Sequence, residues 1–122
     1  MIIKIAVVGC RHYNNYSQAK DFIDQCICMM EPTATLVFIS GRCSGADMLG
    51  ERYAEENGAS LEYYPADWKK YGRAAGPIRN RQIVTAADYI ICFWDGKSKG
   101  TRSVIKYAEQ FEKTIYIKFI SI

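Results

Sequence analysis

Residues 2–8 and 88–93 are almost continuously apolar and β-branched, with no polar alternation. A strand with one wet face alternates apolar and polar residues. A strand that does not alternate is buried on both faces, as at the centre of a parallel sheet. Helices must then cover both sides of that sheet, which leaves few architectures open.

The rest of the chain supplies the missing parts. Residues 36–40, 60–64 and 114–119 read as three more strands, the middle one stopped by Pro65. Ala19, Phe22, Ile23, Cys26, Ile27 and Met30 form one helical stripe, with Ser17 as its expected N-cap and Pro32 closing it. A second helix is expected over 45–57, with apolar Ala46, Leu49, Tyr53 and Ala54 and with Gly58 as its C′ residue. Pro77 is expected to be the first residue of a third helix ending near Ala86. Val104, Ile105, Ala108 and Phe111 mark a fourth. Residues 66–76 lack a long period and read as a loop with one short helical turn. Five strands alternating with four helices predict an α/β fold, a three-layer, Rossmann-like, doubly wound parallel sheet of order 3-2-1-4-5. At 122 residues the chain is expected to be a single domain, 1–122.

That order puts the switch point between the first and fourth strands, where open α/β sheets bind ligands. Turns at Gly9, Gly41 and Gly96 would share this edge. In the stretch 41–47, Gly41 and Gly45 allow a tight turn, and Ser44 with Asp47 reads as a capping box at a helix start. In the stretch 95–101, Asp95, Gly96, Ser98, Gly100 and Thr101 lead into another helix, capped by Ser98 or Thr101. Its glycines, hydroxyls, lysines and free N–H groups suit a phosphate, although it is neither a Walker A loop nor G-x-G-x-x-G. Arg79 and Asn80 follow Pro77 in what the pattern makes a first helical turn, where a cation opposes the dipole unless it serves an anion. Arg11 follows the first strand and would face the same edge. Trp68, Tyr71 and Trp94 lie in or beside loops and either stack on a base or cap the core edge. Asp47, Asp67 and Asp95 are the candidate acids; each either holds a ribose hydroxyl or caps backbone.

The net charge of +3 is too small for bulk nucleic-acid binding, but Lys69, Lys70, Arg73, Arg79 and Arg81 follow one another without an acid between them. The five cysteines have no disulfide spacing and read as reduced structural thiols. Cys10, His12 and Cys43 could meet at one edge, but no fourth ligand is evident, and neither a metal nor a cofactor is expected. No run is long enough to span a membrane and no leader pattern precedes the first strand, so a cytoplasmic protein is expected.

The stretches Ser40-Gly41, Ser44-Gly45-Ala46-Asp47, Pro65-Ala66-Asp67-Trp68, Gly76-Pro77-Ile78-Arg79-Asn80 and Phe93-Trp94-Asp95-Gly96-Lys97-Ser98-Lys99-Gly100-Thr101 together resemble the YspA-type, YpsA-related branch of the SLOG superfamily. The resemblance implies a Rossmann-like fold. It also implies distant kinship with the Lonely Guy phosphoribohydrolases, DprA and molybdenum-cofactor carrier proteins, and a nucleotide-derived small molecule as partner. A homodimer is what such relatives suggest. Gly9 and Arg11 match the branch's Gly-Ser-Arg turn, with Cys10 in place of serine. Gly45, Ala46 and Asp47 match the end of its Gly-Gly-Ala-Arg-Gly-Ala-Asp turn, whereas Arg42, Cys43 and Ser44 depart from the middle. Gly100 and Thr101 resemble the Lonely Guy Pro-Gly-Gly-x-Gly-Thr-x-x-Glu motif, whose catalytic glutamate would fall at Val104. The expected function is therefore binding, with hydrolysis of a nucleoside monophosphate's N-glycosidic bond as the alternative and single-stranded DNA binding as the third reading. For hydrolysis, Asp47, Asp67 or Asp95 would have to replace the missing glutamate.

Overall fold

The computed structural model describes residues 1–121 and contains one five-stranded, all-parallel sheet. The strands are β1 (Ile2–Gly9), β2 (Thr35–Ser40), β3 (Ser60–Tyr63), β4 (Tyr89–Trp94) and β5 (Thr114–Phe119). The helices are α1 (Tyr16–Ile27), α2 (Ala46–Glu56), the four-residue α3 (Trp68–Tyr71), α4 (Ala75–Ala86) and α5 (Lys99–Gln110), with a 3-10 turn at Gly72–Ala74. The order is β3-β2-β1-β4-β5, as the alternation predicts. The register pairs Ala6 with Ile39 on one side of β1 and with Ile90 on the other.

Side chains two apart on a strand share a face. Ile3, Ile5 and Val7 therefore join Phe38, Ile91 and Phe93 beneath α1 and α2, packing on Ala19, Ile23, Cys26, Ala46 and Tyr53. Ala6 and Val8 join Ile39, Ile90 and Cys92 on the opposite face, against Ile83 and Val84 of α4 and Val104 and Ala108 of α5. Both faces of β1 and β4 are covered, which is why neither strand alternates. Among the described residues, no helix is long and apolar enough to cross a membrane.

Three helix starts differ from the sequence expectation. Asn15, not Ser17, caps α1, accepting the Gln18 N–H at 3.1 Å. Gly45 is the N-cap of α2 with no side-chain cap, so the Ser44–Asp47 capping box does not form. Helix α4 begins at Ala75, which puts Pro77 third rather than first; its missing N–H still falls among those without an intrahelical partner. The C-terminus of α2 is as expected. Gly58 has φ +66°, and the N–H groups of Gly58 and Ala59 return to the carbonyls of Glu55 and Ala54 in a Schellman motif.

Gly50 sets how closely α2 approaches the sheet. A Cβ there would lie 2.5 Å from the Val7 Cβ. Its absence lets α2 close on β1 and brings Asp47, one turn earlier, to the end of that strand. Gly50→Ala should cost about 1–3 kcal/mol through overpacking. The loss would be read as a lower urea midpoint with an unchanged slope.

Candidate functional site

A cleft of about 330 Å³ opens at the carboxyl ends of β1 and β4. Val8, Gly9, Arg11 and His12 come from β1 and the turn after it. Cys43 and Asp47 come from the turn after β2 and the start of α2. Arg79, Asn80 and Ile83 come from α4, and Ser98, Gly100, Thr101 and Val104 from the start of α5. Of the residues singled out from sequence, Gly9, Arg11, Asp47, Arg79, Asn80, Ser98, Gly100 and Thr101 meet here.

The α5 rim is built by hydrogen bonds. The Asp95 carboxylate accepts the N–H groups of Lys97 at 2.8 Å and Ser98 at 2.9 Å, which hold it below the usual carboxylate range. Ser98 is the N-cap, and its Oγ accepts the Thr101 N–H at 3.5 Å and the Thr101 hydroxyl at 3.2 Å. The first helical bond runs from Arg102 N–H to Ser98 O at 3.1 Å, so the N–H groups of Lys99 and Gly100 precede the helical ladder. Asn80 ties this rim to α4, donating to Gly100 O at 3.4 Å.

Arg79 is not in the first helical turn that a start at Pro77 implies, although it does line the cleft. It lies in the second turn of α4, 7% exposed. Its Nη1 donates to Gly41 O at 2.6 Å and its Nε to Asn80 Oδ1 at 3.0 Å. Gly41 leaves room for it, since a Cβ there would lie 2.8 Å from Nη1 and 2.9 Å from Asp47 Oδ2. The cations from Lys69 to Arg81 are consequently not one face. Lys69, Lys70, Arg73 and Arg81 are exposed, and the Arg81 guanidinium sits over the Phe111 ring.

Asp47 is 5% exposed and accepts the Cys43 N–H at 3.3 Å. Burial raises its pKa to about 6, against the opposing pull of the Cys43 N–H and of Arg79. Glu51, one turn on, is held by Ser40 Oγ at 2.6 Å and by an ion pair with Arg42. Arg42 has φ +63° and places its guanidinium over the Tyr63 ring. Arg42 thus braces α2 and β3 and is not among the cleft's lining.

Gly41, Ser44, Gly45, Asp67, Trp68, Trp94, Asp95 and Gly96 fall outside that lining. Gly41, Gly45, Asp95 and Gly96 shape the turns behind it, and Ser44 is exposed. Asp67 caps α3 through the Lys70 N–H at 3.1 Å, and Trp68 is 54% exposed beside it. Trp94 donates its indole N–H to Ser98 O at 3.2 Å and packs on Phe119, so it serves the core edge. His12 and Cys43, which the sequence offers as zinc candidates rather than as part of a ligand site, also line the cleft; their places in or directly after two of the edge turns are the available signal. Among the described residues, no group of three or more His, Cys, Asp and Glu side chains is arranged to hold a metal.

The family model described as the YspA, cpYpsA-related SLOG family matches residues 3–71. The Gene 61 protein of Mycobacterium phage D29 is 36% identical over 81 residues, 62% of this chain and 65% of the phage protein. The X-ray structure of DNA processing protein A (DprA) from Streptococcus pneumoniae superposes with a TM-score of 0.70 at 22% identity, over 99% of this chain and 52% of that one. The chain thus spans about half the length of DprA and just under two thirds of the phage protein.

The buried Asp47 has a stability consequence. Its folded-state pKa of about 6 lies above the ordinary 3.8, so between these values the folded chain holds the proton more tightly. The ionised carboxylate therefore costs stability above about pH 6, on the order of 3 kcal/mol, and the cost vanishes below about pH 4. Asp47→Asn should raise the unfolding free energy by up to about 3 kcal/mol at pH 8 and by about half that at pH 5. Urea titrations at the two pH values would check this.

Proposed function

The chain belongs to the YspA, cpYpsA-related SLOG family, and on that premise we propose that its cleft binds a nucleotide or nucleotide-derived small molecule. The observation that carries the reading is the meeting, at the sheet's switch point, of Arg11, Arg79 and the capped first turn of α5. Guanidinium groups and unpaired helical N–H groups favour the same oxyanion. Val8, Ile83 and Val104 offer an apolar floor for a base or sugar. A volume near 330 Å³ is at the small end for ligand pockets and suits one nucleotide rather than a dinucleotide. Residues 1–122 act as one binding unit in this reading.

Hydrolysis is the second reading, supported by Asp47 alone among the three candidate acids. Asp67 and Asp95 themselves lie outside the lining and accept backbone N–H groups, whereas Asp47 lies in the cleft with a pKa near the range useful for proton transfer. Release of free base from a nucleoside monophosphate would favour it over simple binding.

Arg11 is the better probe of phosphate binding, because it is exposed and Arg79 also supports the fold. Losing a charge-assisted contact costs about 1.5–3 kcal/mol, or roughly tenfold to a hundredfold in affinity. Arg11→Ala should weaken a nucleoside monophosphate by that factor and leave its parent nucleoside little changed. Calorimetric titration of both ligands against both proteins is the test. Equal losses would remove the phosphate from Arg11. Absence of binding by either ligand at millimolar concentration would overturn the nucleotide reading and turn attention to single-stranded DNA, since DprA is a DNA processing protein.

A further inference from the structure

Asp47 is an odd neighbour for an anion. It lines the cleft together with Arg11, Arg79 and the first turn of α5, yet it belongs to none of the four ion pairs among the described residues. The nearest guanidinium, that of Arg79, spends Nη1 on Gly41 O and Nε on Asn80. The Asp47 carboxylate accepts the Cys43 N–H at 3.3 Å, and the Gly41 N–H adds a weaker pull, so it has only backbone donors. The other charged or titratable side chains near it are Glu51, one turn along α2 and paired with Arg42, and Arg11, His12 and Cys43 of the cleft lining. Asn80, Ser98 and Thr101, from α4 and α5, are neutral.

An oxyanion drawn to the cations and free N–H groups would meet this carboxylate. Two negative charges sharing a desolvated site raise the weaker acid's hold on its proton until one is neutralised. We propose that Asp47 takes up a proton from solvent as the ligand's oxyanion enters, and that its neutral carboxyl then donates a hydrogen bond to that oxyanion. The proton goes to one Asp47 oxygen and no other bond is made or broken. Asp47 would thereby determine specificity: ionised it repels an anion, protonated it becomes one more donor in the cradle. Burial already favours the neutral form in the free protein, so the additional shift that a ligand must supply is small. The inference rests on the mononucleotide reading of the cleft.

The test is calorimetric titration of AMP into the full chain between about pH 6 and pH 8, in buffers of different protonation enthalpy. Wild type, Asp47→Asn and His12→Gln are compared. Near pH 7 the wild type should take up between about half and one proton per AMP, and its affinity should fall by up to about tenfold per pH unit. The phosphate of AMP itself titrates near pH 6 with the opposite sign, so the difference between variants is the quantity that decides. Asp47→Asn, whose amide is a permanent donor, should show no such uptake and should bind AMP about tenfold or more tighter than wild type at pH 8. His12→Gln should keep the uptake. Should Asp47→Asn fail to fold, a ¹³C titration of the wild-type Asp47 carboxyl replaces it, with AMP expected to raise the midpoint by a unit or more. AMP binding without proton uptake, uptake that survives Asp47→Asn, or a carboxyl midpoint that AMP leaves unmoved would overturn the inference and leave the cleft reading standing. No AMP binding at millimolar concentration at either pH would overturn both.

Discussion

A buried guanidinium joins two parts of the chain that are distant in sequence. Arg79, on α4, reaches the carbonyl of Gly41 at the end of β2. Burying a charge of this kind is costly unless its hydrogen bonds are made, and Gly41 O and Asn80 make them. The same contact fixes the Asn80 amide, which in turn holds the rim of α5. Three of the four segments that form the cleft are therefore aligned by one side chain. The fourth, the turn at Gly9–Cys10, is bound to β4 through Cys10 N–H and Phe93 O at 3.0 Å.

The parts that could be read in the sequence are those that leave a periodic mark. β1 and β4 are apolar throughout because helices cover both their faces, and this is enough to give the sheet and, with alternation, its order. Gly58 and the α5 cap Ser98 follow from local backbone needs and are where they should be. The failures involve partners remote in sequence. Nothing near Arg79 indicates that Gly41, 38 residues earlier, will take its proton donor. Asn15 and Ser17 are both competent caps two residues apart. What distinguishes them includes Tyr16, whose ring lies under Arg52 and whose hydroxyl bonds Glu56, a contact across 40 residues. Ser44 loses its cap to the backbone path set by Arg42 and Gly45, both at positive φ.

The departures from the family pattern have physical counterparts. Arg42 compensates its left-handed backbone with three contacts: its N–H to Ser40 Oγ at 3.1 Å, its guanidinium to Glu51, and its cation over Tyr63. It neutralises a carboxylate that would otherwise be buried without a counter-ion. Val104 shows the opposite trade. Where a glutamate would bring charge, this chain has a β-branched side chain packed beside Ile83 and Val8, and the acid in the cleft comes from the opposite wall, at Asp47.

That packing makes the floor of the cleft continuous with the hydrophobic core. Val8, Ile83 and Val104 each belong both to the cluster between the sheet and α4–α5 and to the cleft lining. A molecule seated on them would complete the core's upper layer, and the unfolded chain would have no equivalent place for it. Occupancy would then be written into the folding equilibrium: a ligand at a hundred times its Kd adds about 2.7 kcal/mol to the folded state. The melting temperature of the protein would, for that reason, be a gauge of any occupant, whatever its chemistry.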